Sequence, residues 1–492
     1  MRLRPYQSSA VESVRALIRA GKRRIVIVAP CGSGKTILAT DIVHRVLAKG
    51  YKVLFLAHRI ELIDQVSAKL DLIGVDHGII QGDHWRVRPW CQVQIGSVPT
   101  LARRTKLPEA QVVFVDECHH VVSESFAKVV ASYPPDTVIL GLTATPYRLD
   151  GRGLGEHFEE LAVAAEIEGL ITDGYLVPPR TFAPSVPDLR GIRTVAGDYN
   201  RRQLSQAMDK PTLVGDVVKT WKHLAIDEEH PRGRTTVLFA VGIEHSRHLV
   251  ARFREADVAA EHLDADTPED DRRAILARVS RGETTIVSNC QILTEGWDLP
   301  KASCVVMARP TQSRCLYRQM VGRGLRSDPG KVDCMVLDHA GNSLRHGLVT
   351  EPEEYSLVGE PKKEQNTVPS VRQCRICFAI SPPGAERCVE CGAEFPKKKR
   401  VVIERAGELR ENAREARRTW GERTTPERRI ELLAKWIREG RERGYSAARA
   451  PIIYKKAFGI AADRDILAKA EILAQNGEEP TADRARTLAR PT

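Results

Sequence analysis

Arg24-Ile-Val-Ile-Val-Ala-Pro-Cys-Gly-Ser-Gly-Lys-Thr36 is the stretch whose reading decides the fold of this chain. The β-branched run Ile25 to Val28 predicts a strand buried on both faces, as in a parallel sheet. Pro30 ends it, and from Ile37 to Leu47 apolar residues recur at helical spacing. A glycine-bearing turn between a strand and a helix is the context a phosphate-binding loop requires. Gly32 and Gly34, with Ser33 between them, let backbone N–H groups converge on an anion at a helix N-terminus, where the dipole favours negative charge. Lys35 is then placed to neutralise β- and γ-phosphates, and Thr36 to offer its hydroxyl to Mg²⁺. Ala29 stands where this pattern usually has glycine.

Working outward, the same alternation of short apolar runs and amphipathic stretches continues. Val53 to Leu56, Val112 to Val115 and Val138 to Leu142 read as further strands. A second series follows: strands Thr236 to Phe239, Thr285 to Ser288, Ser303 to Met307 and Cys334 to Leu337, with helices His245 to Arg254 and Asp270 to Val279. The pattern predicts an α/β protein with two similar parallel-sheet lobes. The 492 residues, at about 150 per domain, leave room for smaller units beyond them. We place the lobes at residues 1–162 and 163–355, a cysteine-bearing ribbon at 366–396 and a charged helical tail at 397–492, where Leu432, Leu433, Trp436 and Ile437 share helical spacing.

The strand Val112-Val-Phe-Val115 runs into Asp116-Glu-Cys-His119. A carboxylate at the end of a strand beside a phosphate loop can hold Mg²⁺ through Asp116, with Glu117 positioned to polarise an attacking water. An isolated Asp-Glu pair is an ordinary solvated strand end; beside the loop it reads as a hydrolytic site.

These two motifs resemble those of the superfamily 2 helicases and translocases of the DExH (DEAD/DEAH-box) type, and the resemblance extends over about Arg2 to His346. It implies two tandem RecA-like lobes. Arg4-Pro-Tyr-Gln7 is similar to the element in which a glutamine reads adenine, which assigns Gln7 to ATP. Leu56-Ala-His-Arg-Ile-Glu-Leu62 and Gly96-Ser-Val-Pro-Thr-Leu101 resemble strand-contacting motifs, which implies that Arg59 and Thr100 lie near a nucleic-acid backbone. Thr143-Ala-Thr-Pro146 is similar to the motif that couples hydrolysis to movement. In the second lobe, Leu293-Thr-Glu-Gly-Trp-Asp-Leu-Pro300 and Gln319-Met-Val-Gly-Arg-Gly-Leu-Arg326 correspond to the late motifs. They imply Thr294 on nucleic acid, Asp298 near the ribose, Arg323 and Arg326 at the γ-phosphate, and an interlobe relay from His119 to Gln319. Met320 replaces a residue that is basic in many relatives. With the phosphate loop and the arginines in different lobes, hydrolysis is expected to require lobe closure.

Cys374, Cys377, Cys388 and Cys391 follow the spacing C-x₂-C-x₁₀-C-x₂-C, each pair a knuckle presenting two thiolates, so a closed structural Zn²⁺ site is expected, with iron–sulfur ligation the other reading. Cys31, in the phosphate loop, reads as a small tolerated residue rather than a reactive thiol. The net charge of +11 points to a polyanion partner, DNA before RNA by resemblance. No apolar run approaches the roughly 18 residues of a membrane span, and Met1 to Leu17 has no secretory pattern, so no membrane partner and a cytoplasmic location are expected. The tail, from Gly444-Tyr-Ser-Ala-Ala-Arg-Ala to Tyr454-Lys-Lys-Ala-Phe-Gly459, resembles the end of phage and prophage helicases, which suggests replication or recombination proteins as partners. The expected function is an ATP-dependent helicase or translocase; a duplex translocase without strand separation, or a zinc-ribbon adaptor with a decayed ATPase, are the alternatives.

Overall fold

A computed structural model describes residues 3–121, 123–148, 150–195, 197–290, 292–293, 299–359, 371–396, 425–442, 446, 449–458 and 460–475. The first sheet comprises β1 (Arg24–Val28), β2 (Val53–Ala57), β3 (His77–Ile80), β4 (Val93–Ser97), β5 (Val112–Asp116), β6 (Val138–Thr143) and β7 (Glu160–Val163). They lie in the order β3-β4-β2-β5-β6-β1-β7, and every pairing is parallel. Such strands need covered faces, which is why they read as unbroken apolar runs. Ile25 and Ile27 pack in one core with Val14 and Leu38, whereas Val26 and Val28 pack in another with Val98 and Phe126.

The second sheet starts at β8 (Pro179–Phe182). After a short hairpin, β9 (Thr194–Val195) with β10 (Asp198–Tyr199), come β11 (Thr236–Phe239), β12 (Ala260–Leu263), β13 (Ile286–Asn289), β14 (Cys304–Met307) and β15 (Cys334–Asp338). The order β12-β13-β11-β14-β15-β8 is again wholly parallel. The two-lobed α/β architecture of the sequence reading is what the chain adopts.

The chain joins the lobes twice. Between β7 and β8, Tyr175 to Val177 runs beside the end of the late arginine motif: Leu176 bridges Arg326, and Val177 N–H donates to Leu325 O at 2.8 Å. After lobe two, residues 351–359 return to lobe one. There Tyr147 Oη donates to Glu354 O at 2.7 Å and Gly155 N–H to Leu357 O at 2.9 Å. Glu353, at the start of this strap, is buried against Arg318, 2.7 Å away.

The ribbon, a small hairpin of β16 (Arg372–Gln373) and β17 (Ile380–Ser381), is built onto the edge of the second sheet. Phe182 of β8 bridges Ala379, and the Arg180 guanidinium forks onto Glu390 at 2.8 and 3.1 Å. Cys374, Cys388 and Phe395 share a core with Leu238, Val306 and Leu337, so the ribbon covers an edge strand that would otherwise offer unpaired backbone groups. A separate compact unit holds helices Pro426–Glu442, Arg449–Phe458 and Arg464–Gln475, packed around Leu433, Ile437, Tyr454 and Ala470. Among the described residues, no helix is long and apolar enough to cross a membrane.

Candidate active site

The phosphate loop leaves β1 with Ala29 N–H bonded to Thr143 O at 2.9 Å, and its helix, Lys35–Leu47, begins two residues before its apolar period does. Gly32 and Gly34 have φ of +82° and +78°, a region L side chains rarely enter. Space demands glycine there too. A Cβ on Gly32 would stand 2.9 Å from both Arg326 Cγ and Leu176 Cδ2, and one on Gly34 would stand 2.8 Å from Gln7 Nε2. The loop is thus the surface on which lobe two lands. Ser33 is buried, its hydroxyl donating to Pro30 O at 2.7 Å.

Gln7 lies beneath this loop. Its Oε1 accepts from Arg4 N–H at 3.0 Å, capping the helix Pro5–Arg19, and its Nε2 donates to Ser33 O at 3.0 Å. Its amide is therefore engaged with the loop and the helix cap. Arg4 and Tyr175 are among the residues that line the cleft.

At the end of β5, Glu117 adopts a left-handed backbone (φ +45°, ψ +56°), which costs a non-glycine residue about 1–2 kcal/mol and is paid where function holds it. The bend aims its carboxylate at Lys35, whose Nζ lies 3.5 Å from Oε1. Glu117 Oε2 is buried without a hydrogen bond and lies 3.5 Å from His119 Nδ1. Burial and the neighbouring Glu117 charge push Asp116 up to about 6, against the pull of Lys35. Burial also works against the Lys35 charge, but Glu117, Cys31 and Asp116 together hold its pKa above the usual value. Two crowded carboxylates, one with an unsatisfied buried oxygen, form a donor set suited to a hard cation beside Thr36.

Across the cleft, the helix Arg314–Gly322 is capped by Ser313, whose Oγ accepts from Leu316 N–H at 3.3 Å. Gly322 faces the phosphate loop: a Cβ there would meet Cys31 Cβ at 2.7 Å. Cys31 is buried in this interlobe contact, as a small residue must be. Arg323 is near enough to oppose slightly the rise in the Lys35 pKa, and burial pushes the Arg326 guanidinium below its ordinary value. Lys35, Thr36, Asp116, Glu117, Arg323 and Arg326 line one cavity of about 440 Å³, within the range of roughly 300–1,000 Å³ typical of small-ligand sites.

Among the described residues, no hydrogen bond joins His119 to Gln319 as the expected relay would have it. His119 Nδ1 pairs with Thr143 Oγ1 at 3.2 Å, while Gln319 Nε2 is buried without a hydrogen-bond partner. The reason is local: the one-turn helix Cys118–His120 folds His119 back over β6, toward the Thr143 motif. Thr143 Oγ1 in turn donates to Thr145 O at 2.7 Å, and Thr145 Oγ1 touches Cys315 Sγ of lobe two. Arg59 and Thr100 lie just beyond the carboxyl ends of the adjacent strands β2 and β4, the edge at which open parallel sheets bind ligands. Thr294 and Asp298 lie outside the described residues.

The four cysteines converge as their spacing predicts. Their sulfurs all lie within 4.8 Å of one another, with Cys374 to Cys391 at 3.6 Å and Cys377 to Cys388 at 3.5 Å. A tetrahedral Zn²⁺ with bonds of about 2.3 Å sets its sulfurs about 3.8 Å apart, so the cluster fits that ion.

Two parallel-sheet lobes with a phosphate loop facing arginines across one cleft define a two-lobed, RecA-like ATPase. Residues 1–148 match the family model described as "Type III restriction enzyme, res subunit", and residues 216–328 the one described as "Helicase conserved C-terminal domain". The chain is 30% identical over 374 residues to the 51.5 kDa protein of Lactococcus phage (isolate 7-9), covering 75% of this chain and 78% of that one. It is 28% identical over 372 residues to a Saccharomyces cerevisiae protein provisionally named ATP-dependent helicase IRC3, covering 71% of this chain. It spans about half (53%) of that yeast relative's length. A solved fragment assigned to an HsdR subunit of a type I restriction enzyme from Vibrio vulnificus YJ016 shares the fold, with a TM-score of 0.55 and 22% identity over 71% of this chain and 67% of that one. The chain belongs to the superfamily 2 helicases of the DExH type and is an ATP-hydrolysing enzyme of that superfamily.

Sequence reasoning missed Tyr175, Gly322 as a contact point, and the strap with its Arg318–Glu353 pair. The signal for Gly322 was present in Gly322 itself, between the helix residue Val321 and Arg323; Tyr175 carried none beyond being aromatic in a proline-bearing linker.

Proposed function

We propose that this enzyme is a motor that moves along nucleic acid, DNA by preference, by opening and closing its lobes around ATP. The observation that carries the reading is the shared cleft, with Lys35, Asp116 and Glu117 on one wall and Arg323 and Arg326 on the other. Thr36 and Asp116 would hold Mg²⁺, which would supply neutralisation of the negative charge on the nucleotide's phosphates. Lys35 binds the same phosphates, Glu117 orients and polarises the attacking water, and Arg323 and Arg326 meet the charge that grows on the γ-phosphoryl group. Because those arginines come from lobe two, turnover follows closure. Gln7 and Asp298 hold the nucleoside, Gln319 stands at the lobe boundary, and Arg59, Thr100 and Thr294 track the strand.

The lobes divide near residues 1–162 and 163–355, Val163 still completing β7 of the first sheet, with a Zn²⁺-bound ribbon at 366–396 that staples the edge of lobe two. The tail, 397–492, recruits replication or recombination proteins, as its resemblance to the end of phage and prophage helicases suggests. Movement on duplex without strand separation is the second reading, favoured by the restriction-enzyme description of the matching family model, which also favours DNA. ATP turnover measured in parallel with single-stranded, duplex and forked DNA and with RNA names the track. Strand displacement beside triplex displacement separates the two readings. Equal turnover with and without every nucleic acid contradicts both.

A further inference from the structure

Two segments of lobe two reach the nucleotide cavity together. Pro300 comes from the turn before β14, and Arg323, Arg326 and Ser327 come from the stretch after the helix Arg314–Gly322; all line the cavity. Arg326 lies on the phosphate loop, where a Cβ on Gly32 would stand 2.9 Å from its Cγ and 3.7 Å from its Nε. Apart from the bridge of Arg326 to Leu176, the stretch from Arg323 to Ser327 is neither helix nor strand, so its carbonyls need partners from elsewhere.

One side chain supplies them. Lys331 Nζ donates to Gly324 O at 2.7 Å and to Arg326 O at 2.8 Å, and in the other segment to Pro300 O at 2.9 Å and to Ala302 O at 2.6 Å. An ammonium carries three N–H groups, so these carbonyls use every donor it has. Removing it would leave the oxygens turned toward a centre with no donor, a cost the two segments relieve by moving apart. Burial lowers the Lys331 pKa from its ordinary value; the Arg326 charge adds to that, and Cys334, Asp328 and Asp333 oppose it. The lysine is itself braced. Its N–H donates to Asp328 O at 3.0 Å, closing a turn in which Gly330 has φ of +81°, and β15 begins just beyond at Cys334. Lys331 does not line the cavity; it stands behind the wall that does.

We propose that Lys331 is a positioning residue for ATP turnover: its ammonium clasps the Pro300–Ala302 turn to the Gly324–Arg326 stretch, and this clasp sets where the Arg326 guanidinium meets the γ-phosphoryl group. The backbone that carries Arg326 is then held from two sides. Val177 N–H bonds Leu325 O at 2.8 Å on one, and Lys331 takes Gly324 O and Arg326 O on the other. A side chain of similar length that donates nothing fills the space but releases the clasp. A misplacement of about 1 Å in a group that must meet a transition state costs about 10²-fold in rate. Lys35 and Thr36 stand on the opposite wall, in lobe one, so ATP affinity does not follow the loss.

The inference rests on the role given to Arg326 above, and its test keeps the two apart. Nucleic-acid-stimulated ATPase of the full chain is measured for Lys331→Met, Lys331→Gln and Arg326→Ala, and for each Lys331 variant combined with Arg326→Ala. ATP affinity and binding stoichiometry are measured on every preparation, and single-turnover assays with enzyme in excess reach the slow variants. In Lys331→Met, kcat is expected to fall about 10²-fold while KM for ATP and the binding stoichiometry hold. Lys331→Gln keeps two N–H donors and falls less; it carries the same comparison if Lys331→Met does not fold. In the Arg326→Ala background neither Lys331 substitution slows turnover further, because the group it positions is gone. A lysine that serves only the fold would lower the binding stoichiometry or multiply its loss onto that of Arg326→Ala, and either result overturns the inference. Wild-type kcat in Lys331→Met beside a slow Arg326→Ala overturns it alone. Wild-type turnover in Arg326→Ala removes the role beneath it, and the inference with it.

Discussion

Gly322→Ala isolates the step on which the motor turns, the seating of lobe two on the phosphate loop. The added methyl would lie 2.7 Å from Cys31 Cβ, about 1 Å inside ordinary carbon–carbon contact. Neither partner has room to give, because Cys31 belongs to the phosphate loop and Gly322 ends the helix Arg314–Gly322. Overpacking of this kind costs about 1–3 kcal/mol. If the closed arrangement is the one that hydrolyses ATP, that penalty falls on the closed state and lowers kcat about 5- to 150-fold. Local stability should move the other way, since alanine is favoured over glycine in a helix by up to about 1 kcal/mol. A melting temperature held or raised, with turnover lost, is therefore the expected signature. Cys31→Gly supplies the control: without the Cβ, the nearest atom to the new methyl is Cys31 Cα at 3.9 Å, an ordinary contact. In a double-mutant cycle of nucleic-acid-stimulated ATPase, Cys31→Gly should restore part of the activity lost to Gly322→Ala. Full activity in Gly322→Ala, or losses that simply add in the double variant, would refute the reasoning.

Three further outcomes follow from the same geometry. Glu117→Gln should bind ATP as the wild type does while turnover drops about 10²- to 10⁴-fold, the usual worth of a positioned base, read by equilibrium nucleotide binding beside steady-state hydrolysis. The purified chain should carry one zinc by metal analysis, and Cys388→Ser should release it and lower the melting temperature by at least about 5 °C, because Cys374 and Cys388 lie in the core that holds the second sheet. DNA affinity should fall steeply between low and moderate salt as phosphate counterions are released, and a flat salt response would argue against a backbone-tracking surface.

What was legible in the sequence is what one short segment encodes by itself. The strand-loop-helix of Arg24 to Leu47 and the strand ending in Asp116-Glu117 declare themselves by period and by glycine placement, and both lobes follow from that alternation. The cysteine pairs are equally local, their convergence fixed by two tight knuckles. The remainder depends on which segments meet. Tyr175 to Val177 pairs with Leu325 to Ser327 across most of lobe two, in a ladder too short to leave a strand period. His119 was expected to reach Gln319, but a single turn after a left-handed Glu117 carries it to Thr143 instead, and no periodicity encodes that bend. The strap closes on lobe one through backbone carbonyls of Glu354 and Leu357, groups every residue possesses.

The most direct test of the account is Arg326→Ala assayed at saturating ATP and nucleic acid, with ATP affinity measured on the same preparation. An arginine acting across the lobes on the transferring phosphoryl group is worth about 10³–10⁵ in rate, so turnover should collapse by that order while ATP affinity changes little. Stimulated turnover equal to the wild type would mean that lobe two supplies no chemistry, and the interlobe mechanism would be wrong.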